Sequence, residues 1–252
     1  MTSSAQRLFV LLHNIEQDII QPFLKGQDIS PYQINWSGFY AIYPYTSEGK
    51  VILEKELKTK YPNAYLYLET HRDDLKGRGY FDKSTKLWFE LWNQRKPSRF
   101  EGTKIVILDN ASKNSFSVDK NNFYGTTTVY NIKLNDVCLS PYYVVGILNS
   151  KLMDFFHKAK SVPQANGFYR YQAIFIKDLP IIIAEENIQR KVEQLVRSLM
   201  SETKQETRDT LSQQIDLISY HLYGLSYEEV LVVDPNSFIT KEEYVLYTRA
   251  IR

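Results

Sequence analysis

Pro180 separates two kinds of hydrophobic periodicity, and this change constrains the fold more than any other feature of the chain. Before it, apolar and aromatic residues come in short runs bounded by Gly, Pro and Asn, as from Ile34 to Tyr45 and from Thr126 to Ile132. Runs of that length, rich in β-branched and aromatic residues, favour strands. Lys104-Ile105-Val106-Ile107-Leu108 is apolar without alternation, the pattern of a strand covered on both faces. After Pro180, Ile188, Val192, Leu195 and Leu199 recur at helical spacing, as do Leu211, Ile215, Ile218 and Leu222, with polar residues between the two sets. Two such stripes predict a helical hairpin, ended by Gly224. The expected fold class is α+β: a mixed, irregular β-sheet region with helices, followed by a C-terminal helical hairpin. Three segments are expected: an N-terminal helix over 1–21, with Leu8, Leu12, Ile15 and Ile19 on one face before Pro22; a compact region over 22–181; and a helical region over 182–252.

Short-range signals place several helices. Pro62 suits a first helical turn, and Tyr65, Leu68 and Leu75 keep the period until Gly77-Arg78-Gly79 breaks it. Ser140-Pro141 starts a helix whose apolar face holds Val144, Ile147, Leu148 and Leu152 and which continues through Phe155-Phe156. Ser226 with Glu229, and Thr240 with Glu243, have capping-box spacing and predict two short terminal helices.

Hydrophobic residues make up 43% of the chain and charged residues 24%, enough apolar material for a core and too little net charge for disorder. No apolar run approaches the roughly 20 residues of a membrane span. The first residues hold only Arg7 before Leu8 to Leu12 and no small-residue cleavage site, so no export signal is expected. Cys138 alone cannot form an intramolecular disulfide, which suits a reducing cytoplasm. The net charge of +2 is unevenly spread: from Arg95 to Lys177 there are 12 Lys/Arg against 5 Asp/Glu, a surplus of +7, leaving −5 elsewhere. A basic centre with acidic flanks suits a polyanion-binding face.

Catalytic patterns are missing. A methyltransferase using S-adenosylmethionine needs a glycine-rich strand-to-helix turn, and amino-group methylation needs an Asn/Asp/Ser-Pro-Pro-aromatic loop. The sequence has no Pro-Pro pair, Gly77-Arg78-Gly79 follows a helix, and Ser140-Pro141-Tyr142-Tyr143 reads as a helix start. Asp28, Glu56 and Lys58 offer the residue types of a metal-dependent nuclease, yet Leu53 to Lys58 has the composition of a solvated helix face. His13, His71, His157 and His221 lie far apart, with no partner at zinc-ligand spacing, so no metal site is expected. What the chain does offer is polar and basic side chains in two loops. Asn110, Lys113 and Asn114 follow the apolar strand, and Lys158 and Lys160 lead to Gln164, Asn166, Tyr169 and Arg170. Asn, Gln, Lys and Arg match base edges, and Lys and Arg neutralise phosphates. These nine residues are the candidate DNA-binding set.

The order of segments resembles the TaqI-like C-terminal specificity domain of type IIG restriction-modification enzymes and related N6-adenine DNA methyltransferases. The resemblance runs through Phe23-Leu24-Lys25-Gly26-Gln27-Asp28-Ile29, Tyr43-Pro44-Tyr45, Tyr61 to Leu68, and Trp88 and Trp92. It continues through Asn121 to Ile132, Tyr142 to Leu152, Gly167 to Gln172 and Ile176 to Ile181, and closes at Ile215 to Leu225. It implies that 22–181 is a sequence-specific DNA target-recognition domain, with double-stranded DNA as partner. It further implies a methyltransferase domain, with or without a nuclease, in the same or a separate chain, and a role in phage defence. No cofactor is expected in this chain; S-adenosylmethionine is expected only in the catalytic domain. Two rival readings stand beside it, a subunit-assembly module built on the helical hairpin and a nuclease using Asp28, Glu56 and Lys58.

Overall fold

The computed structural model describes residues 14–79, 84–125, 127–135 and 138–251. In chain order its strands are β1 (Ile20–Leu24), β2 (Ile29–Ser30), β3 (Gln33–Ile34), β4 (Tyr40–Ile42), β5 (Lys104–Leu108), β6 (Asn110–Ala111), β7 (Ser117–Asp119), β8 (Tyr124–Gly125), β9 (Val129–Ile132) and β10 (Tyr169–Arg170). The helices are α1 (Glu54–Lys60), α2 (Pro62–Thr70), α3 (Arg72–Lys76), α4 (Pro141–Leu148), α5 (Lys151–Lys160), α6 (Ala173–Ile176), α7 (Glu186–Ser201), α8 (Gln205–Leu222), α9 (Tyr227–Val233) and α10 (Lys241–Ile251). Small mixed sheets precede a helical C-terminal part, so the fold class is α+β as the periodicities require. Among the described residues no helix is long and apolar enough to cross a membrane.

The chain forms two compact units. The first comprises Met1–Asp28, Trp36–Thr103 and Lys120–Asn131. Its sheet has the order β4-β1-β8, with β1 antiparallel to β4 and parallel to β8. Ile15, Ile19, Leu57, Ala64 and Trp88 pack one core, and Tyr43, Tyr45, Phe100 and Tyr124 form an aromatic second one. The expected N-terminal helix does not reach residue 21; its part over 1–13 lies outside the described residues. Ile19 closes a short 3-10 turn, and β1 starts at Ile20, with Pro22 paired to Tyr40. Ile15 and Ile19 still reach one core, because a spacing of four serves a turn followed by a strand as well as a helix. Glu16 is fixed by the N-terminus of α2, where its carboxylate oxygens accept from the Asn63 and Ala64 backbone N–H groups, each at 2.9 Å. Those donors lack helical partners, and the helix dipole favours an anion there. The strand expected over 34–45 is interrupted: β3 ends at Ile34 and β4 begins at Tyr40. Between them Gly38 takes φ +80°, and Ser37 Oγ donates to Asp28 at 2.6 Å.

The second unit comprises Ile29–Asn35, Lys104–Asp119 and Ile132–Arg252. The C-terminal helices therefore belong to the same compact unit as residues 29–35 and 104–119. Close helix packing explains this. Every residue of α4 from Tyr142 to Leu148 is buried, and a Cβ at Gly146 would stand 2.3 Å from Val192 Cγ1 of α7 and 3.9 Å from Ile215 of α8. Only a glycine admits α7 that near. The C-terminal carbonyls of α7 are satisfied from outside the helix: Gln33 Nε2 donates to Leu199 O (3.1 Å) and Glu202 O (2.9 Å), and Arg208 Nη1 to Leu199 O (2.6 Å). The predicted helical hairpin is α7–α8, with Gly224 at φ +70° just beyond it. Both expected capping boxes form, Ser226 with Glu229 and Thr240 with Glu243. The single helix expected from Ser140 to Phe156 is instead two, because Ser150 caps a second start by accepting from Met153 N.

Candidate nucleic-acid interface

The two polar loops identified in the sequence meet in the second unit. β6 pairs antiparallel with β10, Asn110 opposite Arg170 and Ala111 opposite Tyr169. Tyr171 N donates to Asp109 O at 2.8 Å and continues the ladder by one bond. The segment before β10 is a narrow loop: Pro163 bridges Tyr169, Gln164 N donates to Phe168 O at 2.7 Å, and Ser161 Oγ donates to Arg170 O at 2.6 Å. Its tip turns through Asn166 (φ +60°) and Gly167 (φ +74°), residues that tolerate the left-handed region.

A buried layer holds this ladder from below. The Tyr171 ring, with no exposure, stacks on His157 at 4.1 Å and 17° and meets Phe116 edge-on at 6.1 Å. Burial drives the Tyr171 phenol far above its ordinary range and the His157 imidazole below its own, so both stay neutral at neutral pH. The β6–β7 connection is fixed to the helices. Asn149, after α4, accepts from Phe116 N and donates to Phe116 O, both at 2.8 Å, and Asp154 Oδ1 of α5 accepts from Asn114 N at 2.8 Å.

The candidate residues divide by exposure. Lys113, Lys160 and Asn166 are exposed. Asn110, Gln164, Tyr169 and Arg170 are half-buried along the ladder, with the Asn110 amide donating to Asp109 at 3.2 Å and Gln164 Nε2 to Pro163 O at 3.0 Å. Lys158 is half-buried and ion-paired with Asp154 at 2.6 Å, its Nζ 5.6 Å from the Tyr169 ring centre. Asn114 is the correction. It is 3% exposed, its Nδ2 donates to Leu148 O, and its Oδ1 accepts from Tyr171 at 2.8 Å, so its amide is buried and engaged inside the protein and is not presented at the surface. Beside this set lie Phe168, 40% exposed at the loop tip, and the Asp154–Lys158 pair, whose i,i+4 spacing is visible in the sequence.

The other chemistry weighed from sequence is placed differently. Asp28 is buried, and its carboxylate accepts from Lys25 N (2.8 Å) and Ser37 Oγ, while Lys58 pairs with Glu54 along α1. Ser140 caps α4 by accepting from Tyr142 N, and Tyr142 and Tyr143 are buried, so this segment is a helix start and no open loop. Among the described residues no three His, Cys, Asp or Glu side chains converge as metal ligands.

The comparisons with known proteins agree with this architecture. The chain is 26% identical over 176 residues to the type II methyltransferase M.BanIII of Aneurinibacillus aneurinilyticus, covering 66% of this chain and 30% of the relative. It is 23% identical over 220 residues to the type II methyltransferase M.BstVI of Geobacillus stearothermophilus, covering 87% of this chain and 37% of the relative. The chain thus spans about a third of the length of the curated relatives it matches. Its fold resembles part of the type IIL restriction-modification enzyme MmeI, solved in complex with DNA, with a TM-score of 0.60 and 14% identity over 99% of this chain and 34% of that one. The model of the TaqI-like C-terminal specificity domain matches residues 21–181, most of the chain, and the protein belongs to that family.

Proposed function

We propose that this chain is the DNA target-recognition part of a restriction-modification adenine methyltransferase of the type IIG kind, and that the β6–β10 ladder with its two loops is its DNA-contacting surface. The pairing of Asn110 with Arg170 carries this reading, because it gathers side chains of the base-reading and phosphate-binding types from two distant segments onto one ladder. Lys113 and Lys160 hold phosphates; Asn110, Gln164, Asn166 and Arg170 reach base edges, and Tyr169 supports them. Relatives that are type II methyltransferases and a fold neighbour solved with DNA support the assignment.

Methylation belongs to a methyltransferase domain in the same or a separate chain, with or without a nuclease, and the target adenine flips into that domain's pocket. S-adenosylmethionine belongs there too. The glycine pair nearest to its motif supports that placement, because Gly77 ends α3, a helix, where the cofactor needs a strand-to-helix turn. The setting is the cytoplasm, in defence against phage DNA.

The test is duplex binding by the 252-residue chain across a salt series. Four to six phosphate contacts give a log-log slope of roughly −4 to −5. A flat salt response overturns the reading in favour of a subunit-assembly module, and metal-dependent cleavage in favour of a nuclease.

A further inference from the structure

The narrow loop that ends in β10 is a two-stranded hairpin, and its pairing sorts its side chains onto two faces. Pro163 lies opposite Tyr169, Gln164 N donates to Phe168 O at 2.7 Å, and Arg170 N donates to Val162 O at 3.4 Å. Side chains alternate along a strand, and cross-strand partners share a side. Val162, Gln164, Phe168 and Arg170 therefore stand on one face, and Pro163 and Tyr169 on the other. The register with β6 extends both faces, with Asn110 beside Arg170 and Ala111 beside Tyr169. The Tyr169 face is the inner one. Lys158 of α5 lies 5.6 Å from the Tyr169 ring centre, Ala111 is buried, and Tyr171, next on that side, is fully buried.

The outer face carries two kinds of side chain. Asn110, Gln164 and Arg170 form hydrogen bonds, whereas Val162 and Phe168 are apolar and yet 48% and 40% exposed. One exposed apolar residue means little. Two on the same ribbon face, among amides and a guanidinium of the kinds that match base edges, suit a polar surface with isolated apolar groups. The major groove of DNA is such a surface: it is about 12 Å wide, admits a two-stranded ribbon, and shows the thymine 5-methyl group among base donors and acceptors. The minor groove shows no such group. Lys113 and Lys160, exposed in the flanking segments, supply charge complementary to phosphates.

We propose that the outer face of this hairpin enters the major groove and that Phe168, with Val162 on the same face, reads the methyl group of a thymine. The inference rests on the reading of the chain as DNA-binding, and it adds the A·T pair and the group that selects it. The side chain of Phe168 has no polar atom, so its discrimination comes from covering that methyl group.

The experiment uses the 252-residue chain to select preferred duplexes from a random pool. Fluorescence anisotropy is then measured on the enriched duplex with each thymine replaced in turn by uracil, which lacks only the methyl group. At one A·T pair uracil weakens binding about fourfold, the size of one buried methyl group. Phe168→Ala, at an exposed position, brings the thymine-to-uracil affinity ratio there to one. Phe168→Leu keeps most of the ratio, and Lys160→Ala weakens both duplexes in parallel. Enrichment of no A·T pair, tolerance of uracil at every position, or an unchanged ratio in Phe168→Ala overturns the methyl contact while leaving salt-dependent duplex binding intact. Salt-independent binding overturns the DNA-binding reading as well.

Discussion

The Tyr171 hydroxyl donates to Asn114 Oδ1 at 2.8 Å with both side chains buried, and this bond joins the strand after the narrow loop to the connection after β6. Asn114 thereby acts as a clamp. Its other amide atom donates to the last carbonyl of α4, and its own N–H is held by Asp154. Of the polar side chains that resemble DNA readers in the sequence, Asn114 faces inward and ties these segments together.

Asn114→Ala is expected to lower stability by about 1–3 kcal/mol, because it leaves the Leu148 carbonyl and the Tyr171 hydroxyl buried without their partner. Tyr171→Phe removes one bond and keeps the ring stack on His157, so about 0.5–1.5 kcal/mol is expected. Urea unfolding measures both. If Asn114→Ala leaves the midpoint unchanged and instead alters the preferred DNA sequence of the restored methyltransferase, Asn114 is a reader after all.

The two lysines of α5 are expected to behave differently in DNA binding. Lys160 is exposed, and Lys160→Ala should reduce the salt slope by about one. Lys158 already faces the Asp154 carboxylate at 2.6 Å, so Lys158→Ala should change the slope by clearly less. Anisotropy titrations from low to high salt give both slopes, and equal losses would show that DNA displaces Asp154 from Lys158.

Signals confined to a few residues were legible before the structure: Ser140-Pro141 at α4, the boxes at Ser226 and Thr240, and the hairpin stripes all rest on i,i+3 and i,i+4 chemistry. The loops were legible as compositions, but their pairing was not, since Asn110 and Arg170 are 60 residues apart and nothing local encodes the register. Asn114 misled because an amide has the same polarity whether it reads a base or caps a helix carbonyl. The break at Asn149-Ser150 was hidden inside a continuous apolar pattern, where only the Ser150 cap reveals a new start.

Gly146 sets the approach of α7 to α4. A methyl group there meets Val192 Cγ1 at 2.3 Å and Val196 Cγ2 at 3.1 Å, and neither β-branched side chain can swing aside within the core. Gly146→Ala is expected to destabilise by about 1–3 kcal/mol through overpacking, despite the better helix propensity of alanine. Val192→Ala in the same chain should recover part of the loss by opening space. A Gly146→Ala protein as stable as the original would mean that α7 can retreat at no cost.

Asp216 of α8 is 3% exposed, and its Oδ1 accepts from Lys151 N at 2.7 Å, at the start of α5. Burial pushes its carboxyl up to about 7, with Asp234 and Asp154 adding to the rise and the bond and charge of Lys151 opposing it. In the unfolded chain the same group titrates near about 3.9. Between these values the folded protein keeps a proton that the unfolded chain has lost. The stabilisation is therefore complete at low pH and disappears as pH rises through about 7. His157 has the opposite sign: burial lowers its pKa, the unfolded chain gains the proton first, and stability falls as pH drops below about 6.5. Asp216→Asn keeps an acceptor for Lys151 N without the titration. Relative to this variant, the unaltered protein should lose stability from pH 5 to pH 8, by at most about 1.4 kcal/mol per pH unit. Relative to His157→Gln, it should gain stability as pH rises across pH 5 to 7. Urea midpoints at four pH values decide the matter, and parallel pH profiles for the unaltered protein and Asp216→Asn would show that Asp216 is charged throughout and held by Lys151.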